Sequence, residues 1–220
     1  MAQPRPPRPV TGPRRHPDLD LLRSSDPVLG RLIESIGPDA VADPRRGYPR
    51  EHYAGLLRAI LGQQVSVRAA TAMHERLLAH YGGRAPTPAE VLTEDSETLR
   101  AAGGLSRAKL ASLRSLAEHV VDGRLDLGSL EVLDDEQVLA ALTAIRGIGP
   151  WTAQIFLMLG LERPDVVPPG DLGVRRALMI ADGRSRLPDP VDVLARAEVW
   201  RPQRTLACRV LWASVAVRPL

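Results

Sequence analysis

The chain has 220 residues, 44% of them hydrophobic and 25% charged, an ordinary balance for a folded soluble domain that excludes wholesale disorder. No apolar run reaches the roughly 18–20 residues of a membrane span, the amino-terminal stretch lacks the apolar core of a secretory signal, and the single cysteine, Cys208, excludes an internal disulfide, a Cys-rich zinc site and a four-cysteine iron–sulfur cluster. The formal charge of +3 comes from 29 basic and 26 acidic residues; setting aside Arg5, Arg8, Arg14 and Arg15 leaves 25 basic against 26 acidic, so the body is near neutral and an intracellular, cytoplasmic protein is expected.

Distribution says more than the total. From Pro86 to Ile145 there are 5 basic and 11 acidic residues, and from Arg146 to Leu220 there are 11 basic and 7 acidic, an asymmetry able to give a neutral body one positive face. Lys109 is the one lysine. Arginine suits bidentate phosphate contacts, and a codon bias produces the same skew.

Residues 1–17, rich in proline and arginine, read as a disordered tail, either dispensable or adding affinity for a polyanion. Asp26-Pro27 is an N-cap followed by proline at the first helical position, with Val28, Leu29, Leu32, Ile33 and Ile36 at helical spacing up to Gly37. Tyr53, Leu56, Leu57, Ile60 and Leu61 form a second stripe. Ser66 caps a third helix that stops at Gly82-Gly83, and Thr87-Pro88-Ala89-Glu90 has the form of a capping box. Ser106 opens a longer helix ending at Gly123, and Asp134 caps another bearing Val138, Leu139, Leu142 and Ile145. A further helix runs from Pro150 to Leu159, and later ones begin at Asp171, at Asp189-Pro190 and near Pro202. Nothing alternates with period two for long. The pattern predicts an all-α fold of about ten helices in two lobes, with a hinge near Gly123–Asp134 and a site in the cleft between lobes.

The most informative segment joins two of these helices through Ile145-Arg146-Gly147-Ile148-Gly149-Pro150-Trp151-Thr152-Ala153. Its glycines permit positive φ and close approach of another backbone, Ile148 can plug the groove between the helices, and amides after the turn can meet a phosphate. Taken alone it reads first as a simple tight turn between two helices. Upstream, Ala59-Ile60-Leu61-Gly62-Gln63-Gln64-Val65-Ser66 ends an apolar helix with paired glutamines; downstream, Val166-Val167-Pro168-Pro169-Gly170 leads into Asp171, and Trp200-Arg201-Pro202-Gln203-Arg204-Thr205-Leu206-Ala207 follows.

With these four landmarks in this order, from about Asp26 to Val217, the chain resembles the helix–hairpin–helix DNA glycosylases, in the 3-methyladenine DNA glycosylase II (AlkA-type) branch. It looks like the short form, without an N-terminal β domain, and its helix–hairpin–helix spans about residues 134–160 within a helical domain of residues 18–220. The resemblance implies base flipping from double-stranded DNA and hydrolysis of the N-glycosidic bond of alkylated purines such as 3-methyladenine and 7-methylguanine, leaving an abasic site. Asp171 matches the catalytic carboxylate that stabilises positive charge on the departing sugar and orients or deprotonates water. Read from position alone, Asp171 is an N-cap, and the two roles are compatible.

Further expectations follow from the same likeness. Trp151 stands where strand-cleaving members carry a lysine nucleophile, so the enzyme is expected to be monofunctional. Trp151 and Trp212 match aromatic pocket walls, which suit cationic bases; Ile155 and Leu172 occupy pocket positions where aromatics are common, and Gly170 replaces a frequent second acid. Trp200 reads as packing and Cys208 as core. Gln64 matches the residue that fills the vacated stack, against a plain reading as a polar turn residue. Ser66, Gly147, Ile148, Gly149, Thr152, Arg175, Arg176 and Arg204 are expected on the DNA backbone. The carbonyls of Thr143, Ile145 and Ile148 match positions that hold a monovalent cation, with no cofactor required. His16, His52, His74, His80 and His119 show no metal-ligand spacing. A monomer acting at the nucleoid is expected. The rival readings are a non-catalytic DNA-binding or damage-sensing module and a glycosylase for another damaged or mismatched base.

Overall fold

The computed structural model describes residues 17–43, 45 and 47–216. The amino-terminal tail and His16 lie outside the described residues, except Pro17, which opens the first helix. Twelve α-helices and no strand occur among the described residues: α1 (Pro17–Ser25), α2 (Pro27–Ile36), α3 (His52–Gly62), α4 (Val67–His80), α5 (Pro88–Thr93), α6 (Ser96–Gly103), α7 (Arg107–Val121), α8 (Asp135–Thr143), α9 (Pro150–Ile155), α10 (Leu172–Ala181), α11 (Pro190–Ala197) and α12 (Arg204–Ala216). The first and sixth are additions to the sequence reading. Asp95 caps α6 by accepting from the amides of Glu97 and Thr98, a short cap signal inside a polar stretch. α1 follows directly in sequence on a proline-rich stretch that gives no helical signal.

Local chemistry explains most helix starts. The side chains of Asp26, Ser66, Thr87, Ser106, Asp134, Asp171 and Asp189 each accept an amide of the first turn, satisfying donors that the helix itself cannot. Thr87 and Asp134 form full capping boxes with Glu90 and Gln137. α9 continues through one wider π-type turn, Phe156–Gly160. There the ring of Phe156 occupies the space beside Gly160, where a Cβ would lie 2.5 Å from Phe156 Cδ2.

The helices pack as two groups. α12 lies against α1, α2 and α10, so the two ends of the described chain build one group; α3 lies against α4, α7 and α9, with α5 and α6 on α7 and α8 on α9, so the middle builds the other. One continuous apolar cluster runs through both. The chain passes between groups near residues 43–52 and 161–171. The hinge expected at Gly123–Asp134 is therefore corrected: that segment joins α7 to α8 inside the middle group and is itself anchored by buried Leu125 and Leu130. Its change in composition marks a surface connection.

A candidate active site between the helix groups

Asp171 reaches its position through a pinned approach. The Thr205 hydroxyl, at the start of α12, donates to the Arg163 carbonyl at 2.6 Å and accepts the Val166 amide at 3.1 Å. Pro168 and Pro169 then restrict the backbone, the Asp171 amide donates to the Pro168 carbonyl at 3.0 Å, and the Asp171 side chain caps α10 through the Val174 amide at 2.8 Å. The cap role is real, and it leaves the carboxylate engaged elsewhere too.

Both candidate pocket tryptophans converge on that carboxylate. Trp151 Nε1, from the first turn of α9, donates to Asp171 Oδ2 at 2.8 Å, and Trp212 Nε1, from α12, donates to Oδ1 at 2.9 Å. The three residues come from both helix groups, so the site lies where the groups meet. Asp171 is 9% exposed, while Trp151 and Trp212 are half-buried. All three donors to the carboxylate are neutral N–H groups, which hold it in place without cancelling its charge. Gly173 makes this possible: a Cβ there would lie 3.0 Å from both Asp171 Oδ1 and Trp212 Cδ1. Cys208, fully buried on α12, has its thiol pushed above the usual range by burial and by the Asp171 charge, which makes it inert packing.

The glycine hairpin joins α8 to α9. Ile145 and Ile148 are buried, the Ile148 amide donates to the Ile145 carbonyl at 3.0 Å, and Gly147 has φ +85. That φ disfavours any side chain, and the space is also closed, since a Cβ on Gly147 would sit 1.9 Å from Ser112 Oγ of α7. Thr152 is buried and its hydroxyl accepts from Gln63 Nε2 at 2.9 Å; the same amide nitrogen donates to the Gly147 carbonyl at 2.7 Å. Gln64 is exposed at the tip of the α3–α4 turn with φ +53, and Ser66 accepts from the Ala69 amide as the cap of α4. The hairpin and the glutamine turn are thus neighbours.

Other expected positions divide. Ile155 is buried one turn beyond Trp151, and Leu172 is exposed beside Asp171. Arg176 is exposed. Arg175 donates to the Pro188 carbonyl at 2.7 Å, and Arg204 grips Asp165 at 2.7 Å, with its side chain only 14% exposed. Arg204 therefore helps hold the approach to Asp171, a packing engagement that the sequence did not reveal. Trp200 is fully buried with its N–H on Asp26. Sequence reasoning passed over Gln63 and Lys109 as site residues. The usable signal was the chain's one lysine standing among the apolar positions of α7. A hollow of about 290 Å³ lined by Asp18, Val41, Met158, Glu162 and Arg209 meets the site only at Thr205 and includes neither Asp171 nor its two indoles. No helix among the described residues is long and apolar enough to cross a membrane.

Comparison with known proteins agrees with this geometry. The chain is 36% identical over 194 residues to DNA-3-methyladenine glycosylase 1 of Schizosaccharomyces pombe, covering 87% of this chain and 83% of that protein. It is 32% identical over 175 residues to DNA-3-methyladenine glycosylase 2 of Escherichia coli, covering 74% of this chain and 57% of that longer protein. Its fold superposes on the structure of the Schizosaccharomyces pombe 3-methyladenine DNA glycosylase in complex with abasic DNA with a TM-score of 0.85 and 32% identity, over 91% of this chain and 97% of that one. Residues 57–202, which hold the glutamine turn, the hairpin, Trp151 and Asp171, match the family described as HhH-GPD superfamily base excision DNA repair protein. The chain belongs to the HhH-GPD superfamily of base excision DNA repair proteins.

Proposed function

We propose that this protein is a monofunctional DNA glycosylase that flips alkylated purines, such as 3-methyladenine and 7-methylguanine, out of duplex DNA and hydrolyses their N-glycosidic bonds, leaving an abasic site. The observation that carries the reading is one carboxylate, Asp171, held by the indole N–H groups of Trp151 and Trp212 where the helix groups meet, close in sequence and fold to the glycine hairpin.

The chemistry follows from charge. A purine nucleoside alkylated at ring nitrogen N3 or N7 carries formal positive charge, and electron-rich indole faces attract it. As the glycosidic bond breaks, the base leaves with the bonding electrons and positive charge develops on the sugar. The nearly buried Asp171 carboxylate stabilises that charge. Water completes the hydrolysis, its oxygen bonding to the sugar carbon and its proton leaving, with Asp171 as the acceptor or orienting group. Gln64 fills the gap in the base stack. The hairpin about Gly147 and Gly149, with Ser66 and exposed Arg176, contacts the phosphate backbone, where no sequence is read.

Schiff-base chemistry has no amine where it would be needed. An indole stands at position 151, and the chain's one lysine, Lys109, is buried with its ammonium on the carbonyls of Ile60 and Gln63. The Thr143, Ile145 and Ile148 carbonyls, expected to hold a monovalent cation, are hard oxygens of the kind a sodium or potassium ion takes, and the Ile145 oxygen has a second lone pair beyond the one taken by the Ile148 amide. Such an ion would lend positive charge toward a phosphate oxygen. The protein is proposed to work as a monomer.

The test is incubation of the full chain with methylated duplex DNA. Free methylpurines with alkali-labile sites are expected, and borohydride should trap no covalent adduct. Salt-sensitive DNA binding with no released base would make the protein a damage-sensing module instead.

A further inference from the structure

We propose that Lys109 and Gln63 are positioning residues for base flipping, which lock the turn carrying Gln64 to the glycine hairpin at one fixed offset. The proposal rests on the reading of Gln64 as the residue that enters the duplex.

Three contacts make the lock. First, Lys109 Nζ, from α7, donates to the carbonyls of Ile60 and Gln63 at 2.8 and 2.9 Å. These carbonyls lie at the carboxyl end of α3, where that of Ile60 also accepts the Gln63 amide at 3.2 Å and a positive charge is favoured. Second, the Gln63 side chain crosses to the hairpin, 2.7 Å from the Gly147 carbonyl and 2.9 Å from the Thr152 hydroxyl. Third, Ser112, one turn along α7 from Lys109, packs directly against Gly147. One helix therefore touches both turns, and Gln63 ties the turns to each other.

The chemistry of Lys109 argues for more than filling. Its side chain is only 8% exposed, both partners are neutral carbonyls, and burial pushes its ammonium below the usual 10.5. A charge kept in such a place is costly, and an apolar residue would fill the same volume without that cost. What the ammonium adds is direction: it fixes the end of α3, after which Gln64 takes a left-handed φ of +53, a conformation an unrestrained glutamine disfavours. Gln64 must enter the stack while the hairpin holds the backbone, so the distance between the two turns decides whether both contacts form at once. An error of about 1 Å in such an arrangement can cost on the order of 100-fold.

The test reads DNA binding and intercalation without any base release. The duplex carries a tetrahydrofuran abasic analogue with 2-aminopurine opposite, whose fluorescence responds to filling of the gap. K109M is expected to weaken binding to this duplex about tenfold and to lose most of the fluorescence response, with binding to undamaged duplex within about twofold of wild type. K109R, which restores a donor and the charge, recovers at least half of the loss. Q64A sets the loss from the missing wedge, and the double variant K109M/Q64A binds no more weakly than Q64A, because Lys109 acts through the same group. Wild-type affinity in K109M, or losses in K109M and Q64A that multiply, would overturn the proposal. Gln63→Leu cuts the lock from the half-buried hairpin side and carries the same expectations, so a K109M protein that fails to fold leaves the proposal open to refutation. A wild-type protein that gives the fluorescence response yet releases no methylpurine would sink the enzymatic reading while supporting this one.

Discussion

Asp26 and Asp171 are built from one local device and do different work. Each caps a helix, Asp26 through the amides of Val28 and Leu29 and Asp171 through that of Val174; each also accepts indole N–H groups, Asp26 from Trp200 at 2.7 Å and Asp171 from Trp151 and Trp212. The difference is a cation. Arg196 Nη1 lies 2.7 Å from Asp26 and its guanidinium sits over the Trp200 ring, 5.4 Å from the centroid, so the charge of Asp26 is answered inside a sealed contact that staples α2 to α11. Asp171 has neutral donors and half-exposed indole walls. A carboxylate oriented by N–H groups, with no ion pair to it among the described residues, can answer positive charge that arises during a reaction, whereas one already paired holds the fold together.

The largest expected effect separates the two. Asp171→Asn keeps a side chain able to cap α10 and removes the charge, so methylpurine release falls by about 10²–10³ while the melting temperature barely moves; full activity in single-turnover assays would end the mechanism. Asp26→Ala reverses the pattern. It removes a cap and leaves Arg196 with Asp182 alone, which costs about 2–3 kcal/mol and lowers the melting temperature by roughly 5–10 °C, with release from the remaining folded protein unchanged.

Acid sharpens that second result. Burial opposes charge on Asp26, but the hydrogen bonds from Arg196 and Trp200 and the Arg196 charge outweigh it, so its carboxyl sits below the ordinary 3.8. A depressed carboxyl stabilises the fold fully above the unfolded value and loses that contribution as pH falls through the folded one. Urea melts at descending pH are therefore expected to show the gap between wild type and Asp26→Ala closing below about pH 4.

Smaller effects probe the parts. Trp212→Phe retains a ring beside the pocket and deletes one N–H to Asp171, which is expected to slow release about tenfold, the size of one hydrogen bond to a charged group; an unchanged rate would show that one indole suffices to orient the carboxylate. Thr87→Ala is the control, a cap with neither indole nor deep burial around it. About 1 kcal/mol of stability and no activity should be lost, read from a denaturant midpoint and a release assay.

Legibility in the sequence followed range. Caps at Asp26, Ser66, Thr87, Ser106, Asp134, Asp171 and Asp189 could be read because the donor and acceptor stand two or three residues apart. α6 escaped because its cap, Asp95, is embedded in a run of polar residues that also reads as loop. The hinge was misplaced because a change of composition records exposure, and exposed connections occur within a packing group as well as between groups.

The sequence by itself determined an all-helical chain, the glycine turn, the aspartate at the head of a helix and the two tryptophans that stand with it. Only the tertiary structure decided that both indoles point their N–H groups at Asp171 across 20 and 41 positions, that Arg204 faces Asp165, and that Lys109 and Gln63 tie the glutamine turn to the hairpin. A cap is a bond between neighbours and is written into a few adjacent residues. A contact between distant residues forms only once whole helices have buried their apolar faces, and the angles at which they do so are set by the packing of the entire core.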